Sequence, residues 1–287
     1  MIGGAAMSFE ALIRRYSKPI ETVPTVCTRK GKPGFRARAV LFDIYGTLFI
    51  SKAGDIGVAK GEAEKCLEEI TGLFRSYGVD EDTRAVIEKF FKEIHVGKEV
   101  LRKGGVEYPE VVIEDIWKRV LKIDDGEKMK RLAIEYELIV NPVYPMPNLK
   151  EMLSACRKSH ILMGIISNAQ FYTPHLFSAF LDETLENLGF KNELLFFSYR
   201  LGYGKPSVDL FETVARVLER GGVPREQALY VGNDMRKDIY PAKRAGFQTA
   251  LFAGDARSLN LGENDPGCED VVPDIVITDL VQVLDFL

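Results

Sequence analysis

The sequence has little of what cross-linked, zinc-bound or membrane-spanning proteins are built from. Its 287 residues include 4 cysteines, Cys27, Cys66, Cys156 and Cys268, and no two form a C-x-x-C pair. That excludes a disulfide framework or structural zinc site as the organising feature and suits a reducing, cytoplasmic compartment. No apolar run approaches the roughly 18 residues that span a bilayer. The opening stretch, MIGGAAMSFEALIRRYSKP, lacks the charged segment and apolar core of a secretory signal, and Met7 offers an alternative start. An excess of one charge is also missing: 38 Lys and Arg face 42 Asp and Glu, a net charge of −4. A chain so balanced has no electrostatic footprint for nucleic acid or an anionic membrane. Internal repeats and low-complexity tracts are absent as well.

What remains is ordinary for a globular enzyme-sized chain: 46% apolar and 28% charged residues, in one large domain or a domain with a sizeable insert. Phe9, Leu12, Ile13 and Tyr16 fall at helical spacing within residues 8–18. TRKGKPGFRAR carries five basic residues with Gly and Pro and reads as a solvated linker or an anion-steering rim. In RAVLFD the apolar residues are consecutive, which marks a strand buried on both faces of a parallel sheet. From about residue 55 to 142 the period becomes helical. Stripes such as Ile70, Leu73 and Phe74, or Ile116, Trp117 and Val120, predict four or five helices with their own small core. NPVYPMP breaks that pattern. Beyond it, helices expected at 148–157, 174–188, 207–219 and 236–245 alternate with strands ILMGIIS, LLFFSY, ALYVGN and TALFAG. A last strand, DIVIT, and a last helix follow. Such alternation indicates βαβ units and a parallel sheet.

The expected division is therefore an N-terminal helix and linker over 1–37, an α/β core from 38–54 plus 143–287, and a helical insert over 55–142. Open α/β sheets bind ligands at the carboxyl ends of their strands. An insert leaving from the end of strand one lies over that edge as a lid, with hinges near 50–56 and 141–147.

The same edge collects polar residues. Strand one ends on Asp43, the next on Ser167-Asn168, a third segment leads to Lys205 in GYGKP, and a fourth ends on Asn233-Asp234 with Asp238 a turn later. Taken singly, each serves equally well as a turn or cap residue. Lys205 is harder to place that way. It precedes Pro206, which reads as a first helical residue, and a cation there opposes the helix dipole and calls for anions. Together the residues suit nucleophilic carboxylate catalysis beside a hard metal such as Mg²⁺, which one or two carboxylates can hold.

In this pattern the chain resembles the haloacid dehalogenase (HAD) superfamily over roughly residues 38–287. DIYGT stands where the family has D-x-D-G-T, Ser167 is the second motif, Lys205 in GKP the third, and Asp234 with Asp238 in GNDMRKD the fourth. The resemblance implies a Rossmann-like α/β core of strand order 5-4-1-2-3, and an all-helical C1-type cap. It implies Asp43 as nucleophile, and Asp43, the Tyr45 carbonyl and Asp234 as Mg²⁺ ligands. Ser167 and Lys205 would hold phosphate, with Asn168, Tyr45, Gly46 and Thr47 lining the substrate. Asp238 would be a further ligand or would position Lys205.

Tyr45 departs from the pattern, because family phosphatases carry an aspartate acid/base there. L-2-haloacid dehalogenases of the superfamily often read D-x-Y-G-T and use no metal. The acidic fourth motif favours a phosphatase: without a cation, Asp234 and Asp238 would repel Asp43. The expected activity is Mg²⁺-dependent hydrolysis of a small anionic phosphate ester through an aspartyl-phosphate, by a monomer or homodimer. The alternatives are a metal-independent dehalogenase-like C–X hydrolase and a non-catalytic binding or regulatory protein. His95, Lys98 and Arg102 share one helical face in HVGKEVLRKGG; His95 and Arg102 are candidate substrate contacts, and the same residues also read as a solvated basic face.

Overall fold

The computed structural model of the chain describes residues 7–31, 34, 36–51, 56–263, 265 and 267–287. Helix α1 (Phe9–Tyr16) comes first, with the Ser8 hydroxyl accepting from the Ala11 N–H. Strand β1 (Ala39–Phe42) follows, then a short strand β2 (Phe49–Ser51). Five helices come next: α2 (Ile56–Lys65), α3 (Leu67–Ser76), α4 (Thr83–Lys103), α5 (Ile113–Leu121) and α6 (Gly126–Val140). Strand β3 (Val143–Pro145) returns antiparallel to β2, pairing Ser51 with Val143 and Phe49 with Pro145. The expected hinge at 50–56 falls partly on residues 52–55, outside the described residues.

The remaining chain alternates: α7 (Leu149–Lys158), β4 (Leu162–Ser167), α8 (Thr173–Leu181), α9 (Leu185–Leu188), β5 (Phe190–Phe197), α10 (Ser198–Leu201), α11 (Val208–Arg220), β6 (Ala228–Gly232), α12 (Tyr240–Arg244), β7 (Gln248–Phe252) and β8 (Ile275–Ile277). The six-stranded sheet is ordered β5-β4-β1-β6-β7-β8, and every pairing is parallel. Taken from β7 inward, this is the expected 5-4-1-2-3 order, with β8 added at the outer edge.

The consecutive apolar residues of β1 are explained by layers on both faces. Val40 and Phe42 enter the core formed with α7 and α8, whereas Ala39 and Leu41 enter the one beneath α11 and α12. Residues two apart share a face, so Asp43, next in register, falls on the α11 side. A third core unites α3 to α6 around Trp117, whose ring stacks on Phe90 at 4.0 Å.

Three expectations change. The helix expected over 174–188 is two helices, because Asp182 takes a left-handed conformation (φ 59°) that ends α8. The expected last helix is a 3₁₀ stretch, Leu280–Phe286. Pro206 is not a first helical residue: α11 begins at Val208 after Ser207, and the Lys205-Pro206 peptide is cis.

Candidate active site

Asp43 follows β1 directly, and its N–H continues the ladder to the Val231 carbonyl at 2.9 Å. Its carboxylate is buried, and two groups meet the same oxygen. The Ser167 hydroxyl donates to Oδ1 at 2.8 Å, and Lys205 Nζ lies 2.7 Å from it. Ser167 ends β4, the neighbour of β1 on one side; β6 is the neighbour on the other. Strand connections leave β1 in opposite directions here, which is the usual place for a ligand crevice in an open sheet.

Lys205 is only 6% exposed, so its charge needs compensation. Asp238 supplies it at 2.5 Å in addition to Asp43. The Tyr230 hydroxyl sits 2.9 Å from Asp238 Oδ1, and Asp238 Oδ2 accepts the Asp234 N–H at 3.0 Å. Burial alone would lower the lysine pKa, but Asp238 and Asp43 outweigh it and raise it. Burial raises the Asp238 carboxyl against the pull of Lys205, and repulsion from Asp43 and Asp234 adds to the rise. The lysine backbone is fixed as well. Asn168 accepts its N–H at 2.7 Å and donates to its carbonyl at 3.0 Å. Gly204 makes this possible, since a Cβ there would lie 2.2 Å from Asn168 Oδ1.

Asp234 caps a single π-helical turn, Met235–Ile239, by accepting the Arg236 and Lys237 N–H groups on Oδ1, both at 2.8 Å. Among the described residues its Oδ2 takes one bond, from Asn260 Nδ2 at 3.0 Å, which leaves a lone pair on that oxygen. Asp238 differs in burial: it is fully enclosed beneath Lys205, whereas Asp234 is half-buried. Thr47 donates to Asn233 Oδ1 at 3.1 Å, tying the turn after β1 to the end of β6. Gly46 has φ +83° in that turn, and a Cβ there would lie 2.6 Å from Asn233 Nδ2.

Tyr45 points away from the lysine cluster. Its hydroxyl lies 2.9 Å from the Thr173 hydroxyl at the start of α8. Burial and then the Glu137 charge push the phenol well above its ordinary range, with a smaller rise from Asp43. Glu137, on α6, accepts from Asn141 Nδ2 at 3.0 Å and bonds Tyr172. Asn141 Oδ1 accepts from Ser51 at 3.0 Å, so both chain crossings share one polar network.

The basic face of α4 divides. His95 is exposed, and Arg102 pairs with Glu99 at 2.5 Å. Among the described residues neither bonds the Asp43 cluster. The stripe Val86, Ile87, Phe90 and Ile94 fills the core of the helical layer, and His95 lies about 100° round the helix from Ile94. Lys98 turns inward toward Glu110, at 3.5 Å. Glu110 also accepts from Ser198 at 3.0 Å, and its N–H bonds the Gly202 carbonyl at 2.9 Å, close to Lys205.

Sequence reasoning overlooked Tyr230, Thr173, Glu110 and Glu137, and placed Asn233 at the strand end without giving it a role. Tyr230 left a signal, a hydroxyl inside the otherwise apolar ALYVG strand. Thr173, Glu110 and Glu137 left none, since only the tertiary contacts distinguish them from surface polar residues.

A strand end bearing a buried carboxylate, a buried lysine between two carboxylates and an adjoining helical layer form an arrangement that hydrolases use. A family model for haloacid dehalogenase-like hydrolases matches residues 37–246, and the chain belongs to that family. A glyceraldehyde 3-phosphate phosphatase of Methanopyrus kandleri is 26% identical over 253 residues, covering 86% of this chain and 96% of that protein. Two solved structures share the fold. A 2-haloacid dehalogenase from Pseudomonas syringae has TM-score 0.52 and 20% identity over 87% of this chain and 97% of its own. A HAD phosphatase from Thermococcus onnurineus has TM-score 0.52 and 19% identity over 86% and 95%. No helix among the described residues is long and apolar enough to cross a membrane.

Proposed function

We propose that the chain hydrolyses a small phosphate ester, with Asp43 as nucleophile. The observation that carries this reading is the double hold on Asp43 Oδ1 by Ser167 and Lys205. It fixes the carboxylate rotamer and leaves Oδ2 to attack phosphorus. The ester P–O bond breaks, the leaving alkoxide takes a proton from solvent water, and a second water then hydrolyses the aspartyl-phosphate. Ser167 and Lys205 also hold the phosphoryl oxygens, Lys205 as a point charge. Asn168, Gly46 and Thr47 shape the surrounding turns. The Tyr45 hydroxyl, tied to Thr173 and raised in pKa, is a poor proton donor at neutral pH. Leaving groups that need little protonation, such as aryl or acyl phosphates, therefore suit this site best.

Mg²⁺ fits the donor set. Three carboxylates, Asp43, Asp234 and Asp238, share the site with one ammonium, Lys205. Among the described residues no group of three His, Cys, Asp or Glu side chains forms a metal cage. Mg²⁺ needs only one or two carboxylates, with water and substrate oxygens completing its shell. Asp43, the Tyr45 carbonyl and Asp234 would hold it, and when bound it would neutralise charge on the transferring phosphoryl group. Asp238, fully buried and paired with Lys205, is assigned to positioning that lysine instead of direct ligation.

We further assign residues 55–142 as a cap over a core of 38–54 and 143–287. The separate core around Trp117 and the β2–β3 ribbon at its root support this division. The similarity to the phosphatase of Methanopyrus kandleri makes a triose phosphate, an alkyl ester whose leaving oxygen needs a proton, the substrate to set against aryl and acyl phosphates in testing that preference. The four free thiols favour a cytoplasmic setting.

Tyr45 favours a second reading, the metal-independent C–X hydrolase. A phosphate-ester panel with and without Mg²⁺, beside chloride release from 2-chloropropionate in EDTA, separates the two. Phosphate release that requires Mg²⁺ supports the proposal; chloride release in EDTA without phosphatase activity overturns it.

A further inference from the structure

Helix α1 lies ahead of the family-matched stretch, yet it is built into the molecule next to the site. It packs on α6 of the helical layer and on α8 of the core. Leu12 and Ile13 are 5% and 1% exposed. Ile13 lines a cavity of about 10 Å³ with Tyr45, Ile134, Glu137 and Tyr172. That volume has room for one water at most, so the helix closes the space beside Tyr45 almost completely.

The two sides of α1 hold different bodies. Toward the core, Arg14 Nε donates to the Ala179 carbonyl at 2.6 Å, and its Nη2 reaches the Ser178 carbonyl at 3.1 Å and Asp182 at 2.7 Å. These are the last carbonyls of α8, groups with no partner inside their helix. Glu10 meets His175 Nδ1 at 2.6 Å, again on α8. Toward the helical layer, the Tyr16 hydroxyl bonds Glu135, and Arg131 sits over the Phe9 ring at 5.6 Å. Both of these partners belong to α6. That helix runs directly into the return crossing at 141–147, and α8 starts at Thr173, the partner of Tyr45. A single helix therefore spans the seam between the element that carries the return crossing and the element that anchors Tyr45.

We propose that α1 is a positioning strap of the active site: it fastens α6 to α8 beside Tyr45, so the helical layer opens only when α1 lets go of one of them. Ile13 is the central positioning residue, and Arg14 holds the core side. The inference stands on contacts outside the Asp43 cluster and goes beyond the phosphatase reading.

Full-length chain carrying Ile13→Asp is compared with Ile13→Leu and with the milder Arg14→Ala by hydrogen exchange and by steady-state hydrolysis of 4-nitrophenyl phosphate with Mg²⁺. Ile13→Asp and Arg14→Ala should speed exchange in α6 and at 141–147 by about tenfold or more while β1, β4 and β6 stay protected. KM should rise by about fivefold with kcat changed less than twofold, since positioning of the layer acts on substrate capture. Ile13→Leu should restore both. Unchanged exchange in α6, or an equal rise in α6 and the central strands, overturns the proposal by making α1 an appendage or a general stabiliser. Exchange is read without substrate, so a failure of the phosphatase assay alone counts against the catalytic reading and not the strap.

Discussion

The core edge and the helical layer above it treat their charges in opposite ways. At the edge, Lys205, Asp43 and Asp238 are nearly inaccessible, and each bond leaves its neighbour one geometry. On the outer face of α4 the charges are exposed: Lys89 pairs with Glu81, and Arg102 with Glu99, with side chains about half open to solvent. Exposed pairs of this kind contribute about 0–1 kcal/mol, whereas breaking a buried pair costs about 3–5 kcal/mol. The contrast agrees with the proposal that the chemistry belongs to the rigid edge.

Substitutions sharpen that contrast from its strong end. Asp43→Asn should cut turnover by about a thousandfold or more, measured by steady-state kinetics with the fold checked by circular dichroism. Retention of even a tenth of the rate would remove Asp43 as nucleophile. Lys205→Met should destabilise the chain by about 3–5 kcal/mol in urea unfolding, by leaving Asp43 and Asp238 facing each other uncompensated. The sign of its pH dependence follows from Asp238, whose carboxyl is already raised by burial and rises further without the lysine. A group that binds its proton more tightly when folded contributes stability at low pH and loses it as pH climbs through its folded pKa. The variant should accordingly lose stability from acid toward neutral pH, and a flat profile would contradict the charge arrangement.

Asp234→Ala should weaken Mg²⁺ binding by about tenfold or more in calorimetry, since one of its oxygens retains a lone pair for the metal. Unchanged affinity would return weight to the metal-independent reading. Tyr45→Phe should alter kcat by less than about threefold and leave the activity profile without a new limb up to about pH 10, the ordinary range of a phenol. A large loss would show that the hydroxyl joins the chemistry. The smallest effect belongs to the layer: His95→Ala and Arg102→Ala should each change KM by less than about twofold, as expected of exposed groups. A tenfold effect would blur the contrast between edge and layer.

The strand ends were legible because a consecutive apolar run closing on a carboxylate fits little besides a buried strand that stops at a polar edge. The rest depended on packing between distant segments. Tyr230 reaches Lys205 across 25 positions, and Tyr45 reaches Thr173 across 128. No local pattern encodes such meetings. The face of α4 was ambiguous for a related reason, since His95 stands on the shoulder of an apolar stripe and only the packed layer decides its direction. The break at Asp182 escaped because a left-handed residue other than glycine or asparagine leaves a weak trace in sequence.

The sheet order also governs how the molecule is made. Ala39 in β1 pairs with Leu162 on one side and Ala228 on the other, while α3 to α6 lie between them in the chain. On the ribosome the core around Trp117 is complete in sequence before β1 acquires either neighbour. Contacts that close short loops form early, and those that join distant segments wait for the chain. Until β6 emerges, β1 remains an apolar segment without its full sheet, which exposes the nascent chain to aggregation before the edge carrying Asp43 is complete.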